Sequence, residues 1–436
     1  MIFHYDIRYT LARLFVNTAF RLYFRKLIFV GKKENVSVNH PIILAPNHRN
    51  ALLDALLLVY TSRPGKQIVF LARADIFKRK SVAGLLRGLR IIPVFRLRDG
   101  KENLEKNEEI FRTSAEILKR NNPLALFPEG RHNPKQSLLP IQKAIPRIVL
   151  PTEASADFRL NSRIVPVAIY YRDITEFLSD VYVTFGTPIE VSKYREAYRE
   201  NPSAAINQLR HEMGNSLKTM VVNIQNDAYY DAYGHAIDWN RDRLAQTMFA
   251  DRKDAVPQAA LHIVRTLDER FTHNRPLFDD TINRLRKAFK IVTDHGLTTQ
   301  DDIRNPLSGW ALFARYALLV LTAPLMFLGL LNGIFPLLLS KKLQRLFKEK
   351  QFIPSARYIA GLFFVPLFDL IQSLVAGLLT HSLLVATLYF IAMPALFYLA
   401  LYERKRWKKT NRDFRVARFV KNFPEVWKQV ISFITI

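Results

Sequence analysis

The sequence predicts an α/β domain with an amphipathic helix before it, and a helical extension and membrane-embedded helices after it. Three observations predict this order. Short apolar runs alternate with helical patterns in the first half of the chain, which is typical of an α/β sheet. Strand signals then disappear in a charged and polar stretch. Long and nearly uncharged apolar runs follow, as expected of helices in a bilayer.

Residues 1–30 are predicted to form the amphipathic helix. From about Asp6 to Val30, apolar side chains recur at helical spacing with arginine and lysine between them. A basic amphipathic helix rich in Phe and Leu can lie in a bilayer interface. Packing on the neighbouring domain explains the same pattern equally well, and the two explanations are compatible.

Residues 31–191 are predicted to form the α/β domain. Helical patterns cover Ala51–Tyr60 and Asn103–Arg120. Pro166 lies inside one apolar run, and proline disfavours a central strand unless it sits at the start of the strand or at a bulge. The candidate strands, in chain order, are residues 41–45, 67–72, 90–95, 124–127, 164–171 and 181–185.

The second half of the chain changes character twice. Residues 192–305 are charged and polar, and their apolar positions predict a packed helical extension. Residues 306–402 contain two long apolar runs, each of which is long enough for bilayer-embedded helices. Residues 403–436 are predicted to form a basic cytoplasmic tail.

Basic residues flank the apolar runs and predict their orientation. Lysine and arginine are concentrated at 341–350 and again at 404–409, so the positive-inside rule places both segments in the cytoplasm. If the α/β domain is cytoplasmic as well, the first run must enter and leave on one side. Pro324, Gly329 and Gly333 allow it to form a re-entrant hairpin. The second run then forms two spans that turn near residues 380–382.

The net charge restricts the class of partner. The chain carries 64 Lys and Arg against 38 Asp and Glu, a formal net charge of +26. Such an excess favours a polyanionic partner, either nucleic acid or an anionic membrane leaflet. A hydrophobic share of 49%, 31 Phe and no recognisable nucleic-acid module favour the membrane. The absence of cysteine excludes disulfides and thiolate zinc sites, and we expect no signal peptide.

His48 and Asp54 follow the first predicted strand at the point where a helix begins. A neutral imidazole is a good general base near pH 7, and a carboxylate on its second nitrogen fixes the tautomer and stabilises the imidazolium. The chain offers neither a cysteine nor a G-x-S-x-G elbow as nucleophile. We therefore expect His48 to deprotonate a substrate hydroxyl, which itself attacks an activated acyl group. A structural His–Asp pair is the alternative.

Three further patches follow in chain order. Arg96 and Arg98 end the predicted strand in IIPVFRLRDG. Next, Glu129 and Gly130 lie at a turn after the predicted strand 124–127. The last patch is the proline-containing strand around Pro166.

Together with the His–Asp pair, these patches resemble the four blocks of the glycerolipid acyltransferase family. That family includes 1-acylglycerol-3-phosphate acyltransferases and some glycerol-3-phosphate acyltransferases. The resemblance covers roughly residues 27–190 and implies an α/β acyltransferase domain. The matching residues, in order, are Asn47, His48 and Asp54; Arg96; Phe127-Pro128-Glu129-Gly130; and Val165-Pro166.

The resemblance implies a role for the first two blocks. His48 is the expected base for a glycerolipid hydroxyl, and Asp54 orients it. Arg96 is expected to pair with the acceptor phosphate, since guanidinium offers two parallel hydrogen bonds to phosphate oxygens. Arg98 is a second candidate for this contact. Solvated arginines at a strand end are the alternative.

The third block implies a turn beside the same pocket. Gly130 allows close backbone approach there, and Glu129 is expected to hold Arg96 or a substrate hydroxyl. A structural salt bridge of Glu129 is compatible with that role. Arg131 and Lys143 are further candidate phosphate contacts.

The implied reaction fixes the expected partners. The donor is an acyl thioester, either acyl-CoA or acyl carrier protein, and the acceptor is a phosphorylated glycerol or lysolipid, with 1-acylglycerol-3-phosphate as our first choice. Glycerol-3-phosphate or another lysolipid is the alternative acceptor, and an inactive lipid-binding scaffold is the non-enzyme alternative. We expect no metal and no cofactor, a bilayer with anionic lipids as partner, and a catalytic domain on the cytoplasmic face.

The sequence departs from the family pattern at two places. Five residues separate His48 from Asp54 where the family usually has four, so a bulge or a rotated helix start must absorb one residue. The longer spacing resembles a subset that includes some glycerol-3-phosphate acyltransferases. The family often has Thr-Arg after Glu-Gly, whereas Arg131-His132 follows here.

Overall fold

The structure is a computed structural model of the chain, and it describes residues 7–37, 39–62, 66–77, 80–94, 104–347 and 352–435. The chain divides into two compact units, Met1–Asn223 and Ile224–Ile436. The compositional change near residue 192 therefore lies within the first unit. The domain ranges predicted from composition stay predictions.

Within the described ranges, eight strands of the first unit form one mixed sheet. The strands are β1 (Lys26–Val30), β2 (Ile42–Pro46), β3 (Val69–Arg73), β4 (Ile91–Val94), β5 (Leu124–Leu126), β6 (Arg163–Tyr171), β7 (Asp180–Phe185) and β8 (Ile189–Glu190). Their order is β1-β7-β6-β2-β5-β3-β4, and β8 pairs with β6. Strands β2 to β6 are mutually parallel, so their carboxyl ends meet at one edge. β7 and β8 are antiparallel to β6.

Helices cover the sheet and complete its core. Those of the first unit are α1 (Ile7–Tyr23), α2 (Lys32–Asn35), α3 (Ala51–Thr61), α4 (Lys80–Gly88), α5 (Leu104–Lys119), α6 (Ala144–Ala154), α7 (Arg195–Glu200) and α8 (Pro202–Met220). Every residue of β2 is buried, as expected of a continuous apolar run in the middle of a sheet. Val149 of α6 and Leu209 of α8 belong to the same core cluster as Ile43 of β2. The predicted α/β fold is confirmed.

The amino-terminal helix ends at Tyr23, so its predicted extension to Val30 is wrong. Residues Lys26–Val30 form β1, which pairs in parallel with β7. The sequence KLIFV suits a strand as well as a helix, and pairing along β7 decides between them. α1 itself buries Phe20 completely but leaves Leu11 and Leu14 more than 60% exposed.

Pro166 lies in the interior of β6, contrary to the expectation that a proline avoids such a strand. In a strand, the N–H and the carbonyl of one residue point to the same side. The carbonyl of Pro166 accepts from the N–H of Gly186, so the side on which the proline lacks an N–H faces away from β2. On that side, β7 pairs from Val167 onward and β8 pairs up to Ile164. The proline therefore falls in the interval between two partner strands, where no ladder hydrogen bond is lost.

The described part of the second unit is helical. Its helices are α9 (Tyr230–Thr247), α10 (Ala255–His273), α11 (Arg275–Asp294), α12 (Gly309–Asn332), α13 (Ile334–Arg345), α14 (Ile353–Thr380), α15 (Leu383–Asn422) and α16 (Pro424–Ile434). Three of them, α12, α14 and α15, are long and apolar enough to cross a membrane. α14 and α15 meet at His381-Ser382, where the sequence predicts a turn.

Candidate active site

His48 lies just beyond the carboxyl end of β2, where the chain passes from the sheet into α3. Its ring Nδ1 lies 2.9 Å from Oδ2 of Asp54, which is in the first turn of α3. The Asp54 side chain is fully buried, whereas 14% of the His48 side chain is exposed. The two residues predicted from the sequence are therefore in direct contact, with the imidazole at the open end of the pair.

Asp54 accepts four hydrogen bonds from the part of the chain that the structure describes. Oδ2 also accepts from the backbone N–H groups of Arg49 at 2.8 Å and of Asn50 at 2.7 Å. Oδ1 accepts from the hydroxyl of Tyr171 at 2.6 Å. Four donors thus surround one buried carboxylate. A neutral His48 that donates to this carboxylate carries its proton on Nδ1.

The backbone between the two residues is irregular at the start of α3. Ala51 has φ = 37°, in the left-handed region that residues other than glycine rarely adopt. This position lies within the five-residue interval where the sequence predicts a distorted helix start. The bonds from Arg49 and Asn50 to Asp54 hold the segment in this conformation.

Asn47 joins the loop to the sheet. The N–H of Ile169 donates to the side-chain oxygen of Asn47 at 2.7 Å. The side-chain nitrogen of Asn47 donates to the carbonyl of Ile169 at 3.2 Å. Its backbone N–H donates to the carbonyl of Val167. The amide thus continues the β2–β6 pairing by one residue and fixes where His48 leaves the sheet.

Glu129 supports His48 from the turn that follows the neighbouring strand β5. Its Oε1 accepts the backbone N–H of His48 at 2.7 Å, and its Oε2 accepts the N–H of Leu139 at 2.9 Å. Only 4% of Glu129 is exposed, and this burial raises its pKa against the opposing effect of those two hydrogen bonds. The described contacts of Glu129 are thus with the backbone of the loops. The sequence expectation of a contact with Arg96 or substrate stays a prediction.

Two rings lie beside the imidazole of His48. Phe127, the first residue after β5, stacks on it with centroids 3.8 Å apart and planes at 19°. His132 meets it edge-on at 5.3 Å. Stacking on Phe127 together with the Nδ1 bond fixes the ring plane. His132 takes the position where the sequence departs from the family pattern.

The Glu129-Gly130 turn has the tight geometry that the sequence predicts. Gly130 has φ = +68°, and a Cβ there would lie 3.3 Å from Cγ of Gln142. The turn closes with a bond from the Gly130 N–H to the Phe127 carbonyl and one from the Gln142 N–H to the Pro128 carbonyl. Glycine is needed here because it adopts positive φ without strain.

The predicted phosphate contacts are only partly described. Arg96 and Arg98 lie outside the described residues. β4, which precedes them, is three strands from β2, or about 14 Å at ordinary strand spacing. Arg131 is exposed beside the turn, and Lys143 is half-buried immediately before α6. Their contacts with a substrate remain predictions.

Tyr171 is the site residue that the sequence analysis missed. It ends β6, is almost fully buried and donates to Asp54. Burial, followed by the charge of Asp54, raises its pKa well above the ordinary value, so the phenol stays protonated as a donor. Its position at the end of the apolar run IVPVAIYY was the available signal, because parallel strands bring their carboxyl ends together.

The arrangement has the elements of general-base chemistry. Among the described residues, Nε2 of His48 has no hydrogen-bond partner, while Nδ1 is fixed by a buried and fully bonded carboxylate. Such an imidazole can take a proton from an alcohol. No group of three or more His, Cys, Asp or Glu in the described ranges has the geometry to hold a metal ion.

Comparison with known proteins identifies relatives of this region. Residues 27–170 match the family model described as Acyltransferase. The chain is 30% identical over 118 residues to glycerol-3-phosphate O-acyltransferase 2 of Saccharomyces cerevisiae, covering 27% of this chain and 16% of that protein. It is 31% identical over 111 residues to glycerol-3-phosphate O-acyltransferase 1 of the same yeast, covering 24% and 14%. The chain thus matches about a sixth of these relatives' length.

A solved structure matches as well. It is the 1-acyl-sn-glycerophosphate (LPA) acyltransferase PlsC of Thermotoga maritima, at 20% identity and a TM-score of 0.31. The match covers 46% of this chain and 79% of that one.

Proposed function

We propose that this chain, whose residues 27–170 belong to the acyltransferase family, transfers a fatty acyl group from an acyl thioester to the hydroxyl of 1-acylglycerol-3-phosphate in phospholipid synthesis. The observation that carries the proposal is the 2.9 Å contact between His48 and the buried carboxylate of Asp54, with no hydrogen-bond partner of Nε2 among the described residues. The sequence resemblance supports the substrate class.

The proposed reaction needs one base and no enzyme nucleophile. Nε2 of His48 takes the proton of the acceptor hydroxyl as its oxygen attacks the thioester carbonyl. The tetrahedral intermediate then collapses: the C–S bond breaks, the ester bond remains, and the thiolate takes the proton from the imidazolium. Asp54 stabilises the imidazolium between these steps through its bond to Nδ1. Acyl-CoA or acyl carrier protein supplies the thioester.

We assign the acceptor phosphate to Arg96, with Arg98, Arg131 and Lys143 as further contacts. Arg131 follows the turn that Glu129 anchors to the backbone of His48, so it begins close to the base. Guanidinium groups suit this task because they bind phosphate oxygens in pairs.

We place the acyl chain along an apolar crevice of the first unit that lies between α1, α3 and the sheet. Leu52 and Leu56 line it from α3, and Val16 lines it from α1. Leu52 is two positions from Asp54 in α3 and therefore projects from a different face of that helix. The crevice supports the proposal because its lining is apolar and it lies beside the amino-terminal helix.

We further propose that the catalytic domain faces the cytoplasm and that anionic lipids attract the basic surface. The basic segments at 341–350 and 404–409 support this orientation through the positive-inside rule. Acyl-CoA and acyl carrier protein are both soluble donors that reach the domain from that side.

Glycerol-3-phosphate is the second candidate acceptor. Both curated yeast relatives carry that substrate in their names. The five-residue interval between His48 and Asp54 also resembles a subset that includes some enzymes of this kind.

Thiol release from acyl-CoA and from acyl carrier protein tests the proposal. The purified protein in detergent should release thiol only when an acceptor is present, and faster with lysophosphatidate than with glycerol-3-phosphate. His48→Ala should lower the rate about 10²–10⁴-fold, because it removes the base. His40→Ala, a histidine just before the other end of β2, is the matched control and should keep the wild-type rate.

Two outcomes would contradict the proposal in different ways. A full rate in His48→Ala would show that another group is the base. An absence of thiol release with every acceptor, together with retained binding of lysophosphatidate, would support the inactive scaffold instead. A faster rate with glycerol-3-phosphate would keep the reaction and replace the acceptor.

A further inference from the structure

Helix α12 runs antiparallel to α15 and begins beside its charged half. The hydroxyl of Tyr316 donates to Asn411 at 2.8 Å, and that of Thr322 lies 3.3 Å from Glu403. The charged segment of α15 begins at Glu403. The first half of α12 is therefore level with charged and aromatic side chains, which are typical of the membrane–water interface rather than of hydrocarbon.

The end of α12 reaches only part of the way along the apolar half of α15. A Cβ at Gly329 would lie 2.3 Å from the carbonyl oxygen of Leu396, and one at Gly333 would lie 2.0 Å from the ring of Phe397. These contacts are about 9 Å beyond Glu403, at a rise of about 1.5 Å per residue. The apolar part of α15 continues toward Leu383 for about another 21 Å.

Helix α13 then turns back along α14. Phe335 stacks on Phe368 with centroids 5.7 Å apart, and Gln344 accepts from Arg357 at 3.3 Å. Later residues of α13 thus meet earlier residues of α14. α14 continues for about 18 Å beyond Phe368 before it ends at Thr380. This length is close to the roughly 21 Å of apolar α15 that lies beyond its contacts with α12.

The turn between α12 and α13 carries polar groups, and the longer helices satisfy them. The backbone carbonyl of Asn332 accepts from the Gln372 side chain of α14 at 3.2 Å. Its side-chain oxygen accepts from the hydroxyl of Tyr389 in α15 at 2.7 Å. Interrupted backbone is tolerated at membrane depth only where protein groups satisfy it. Both partners lie within apolar helices, so the turn is built for such a depth.

We infer that α12 and α13 form a re-entrant hairpin in the bilayer, and that only α14 and α15 cross it. Length and composition alone give α12 the properties of a third crossing helix. Its contacts with α15 instead end its path about 9 Å into an apolar stretch that is about 30 Å long. The surface embedded beyond that turn includes Leu374 of α14 and Leu388 of α15, which are both 57% exposed. The start of α12, the end of α13 and the basic half of α15 then emerge on the same face.

The protein contains no cysteine, so single cysteines can report this arrangement directly. Gly309→Cys, Leu346→Cys and Lys408→Cys mark the three segments expected on one face, and Leu383→Cys marks the opposite face; all four positions are exposed. A membrane-impermeant maleimide is applied to intact cells and to inverted vesicles. We expect the first three to react from one side and Leu383→Cys from the other.

Two labelling patterns would overturn the inference. Reaction of Gly309→Cys and Leu346→Cys from opposite sides would show that α12 crosses the bilayer. Reaction of Leu383→Cys from the same side as Lys408→Cys would show that α14 and α15 do not cross the bilayer. The cysteine-free protein should remain unlabelled, and all four variants should react after detergent is added. Trp310→Cys and Phe347→Cys replace any variant that fails to accumulate, and none of these readouts depends on the proposed acyl transfer.

Discussion

Tyr171 is the donor for a carboxylate oxygen of Asp54 that no other described group contacts. Tyr171→Phe leaves this buried oxygen unsatisfied, which costs about 1–3 kcal/mol. We expect a lower Tm and a rate reduced by less than in His48→Ala, because the bonds to Oδ2 remain. Thermal melts and thiol release measure both effects. Tyr198→Phe is the control, and equal losses in the two variants would contradict the assignment.

Glu129 holds the backbone of His48 at the expense of stability. Its pKa is raised by burial, so in the folded protein the charged form is disfavoured relative to the unfolded chain. The contribution of this group to the free energy of unfolding is therefore fully present below its ordinary pKa of 4.5. It is lost as the pH rises through the raised pKa of the folded state. Glu129→Gln removes this pH dependence.

We expect Glu129→Gln to be less active, because glutamine keeps one acceptor oxygen and one of the two backbone N–H groups of His48 and Leu139 loses its partner. The lost bond lowers the stability at every pH, whereas the uncharged side chain removes the loss that accompanies ionisation. Melts between pH 4 and pH 7 should therefore show the wild type losing stability relative to the variant as the pH rises. A stability difference that stays constant over this range, or a fully active variant, would contradict these expectations.

The residues of the site differ in how far the sequence predicts them. His48, Asp54 and Glu129 are recognisable because each follows a predicted strand, and parallel strands bring those positions to one edge. Tyr171 is 117 positions from Asp54, and its one local signal is its place at the end of an apolar run. Its contact depends on the β2–β6 register, which single-sequence periodicity does not determine.

Helices and strands are also hard to predict from the sequence where two local patterns compete. Residues Lys26–Val30 continue the helical spacing of α1, yet they form β1 because β7 offers an unpaired edge. Pro166 disfavours a central strand, yet it occupies one because its missing N–H faces the interval between β7 and β8. In both cases a distant partner strand outweighs the local preference.

Gly329 lets the backbones of α12 and α15 come into contact. The Cβ of Gly329→Ala would lie 2.3 Å from the carbonyl oxygen of Leu396, so the helices must separate. Overpacking of this kind typically costs about 1–3 kcal/mol, and we expect a lower Tm in detergent. Gly361→Ala in α14 is the matched control because nothing lies within 4 Å of its Cβ. Alanine there should be neutral or stabilising, and the same result for Gly329→Ala would contradict the close packing.

For the whole molecule, composition predicts the separation into a sheet domain and apolar helices but not the path of those helices. The two apolar runs of the sequence become α12 to α15, with breaks at Gly333 and His381. Both breaks fall at positions that the sequence marks as helix-breaking or polar. The level at which each helix meets its neighbour depends on contacts such as Thr322–Glu403, which are 81 positions apart.

We expect two forces to hold the molecule to a membrane, and salt separates them. The proposed attraction of the +26 net charge to anionic lipid is screened at 1 M salt, where the Debye length falls to about 3 Å. The exposed apolar side chains of α12, α14 and α15 are unaffected by screening. We therefore expect membranes washed with 1 M salt to retain the protein and detergent to release it, as followed by sedimentation and immunoblotting. Release by salt alone would mean that the protein is held by charge at the surface, because helices embedded in hydrocarbon do not leave it when ions are added.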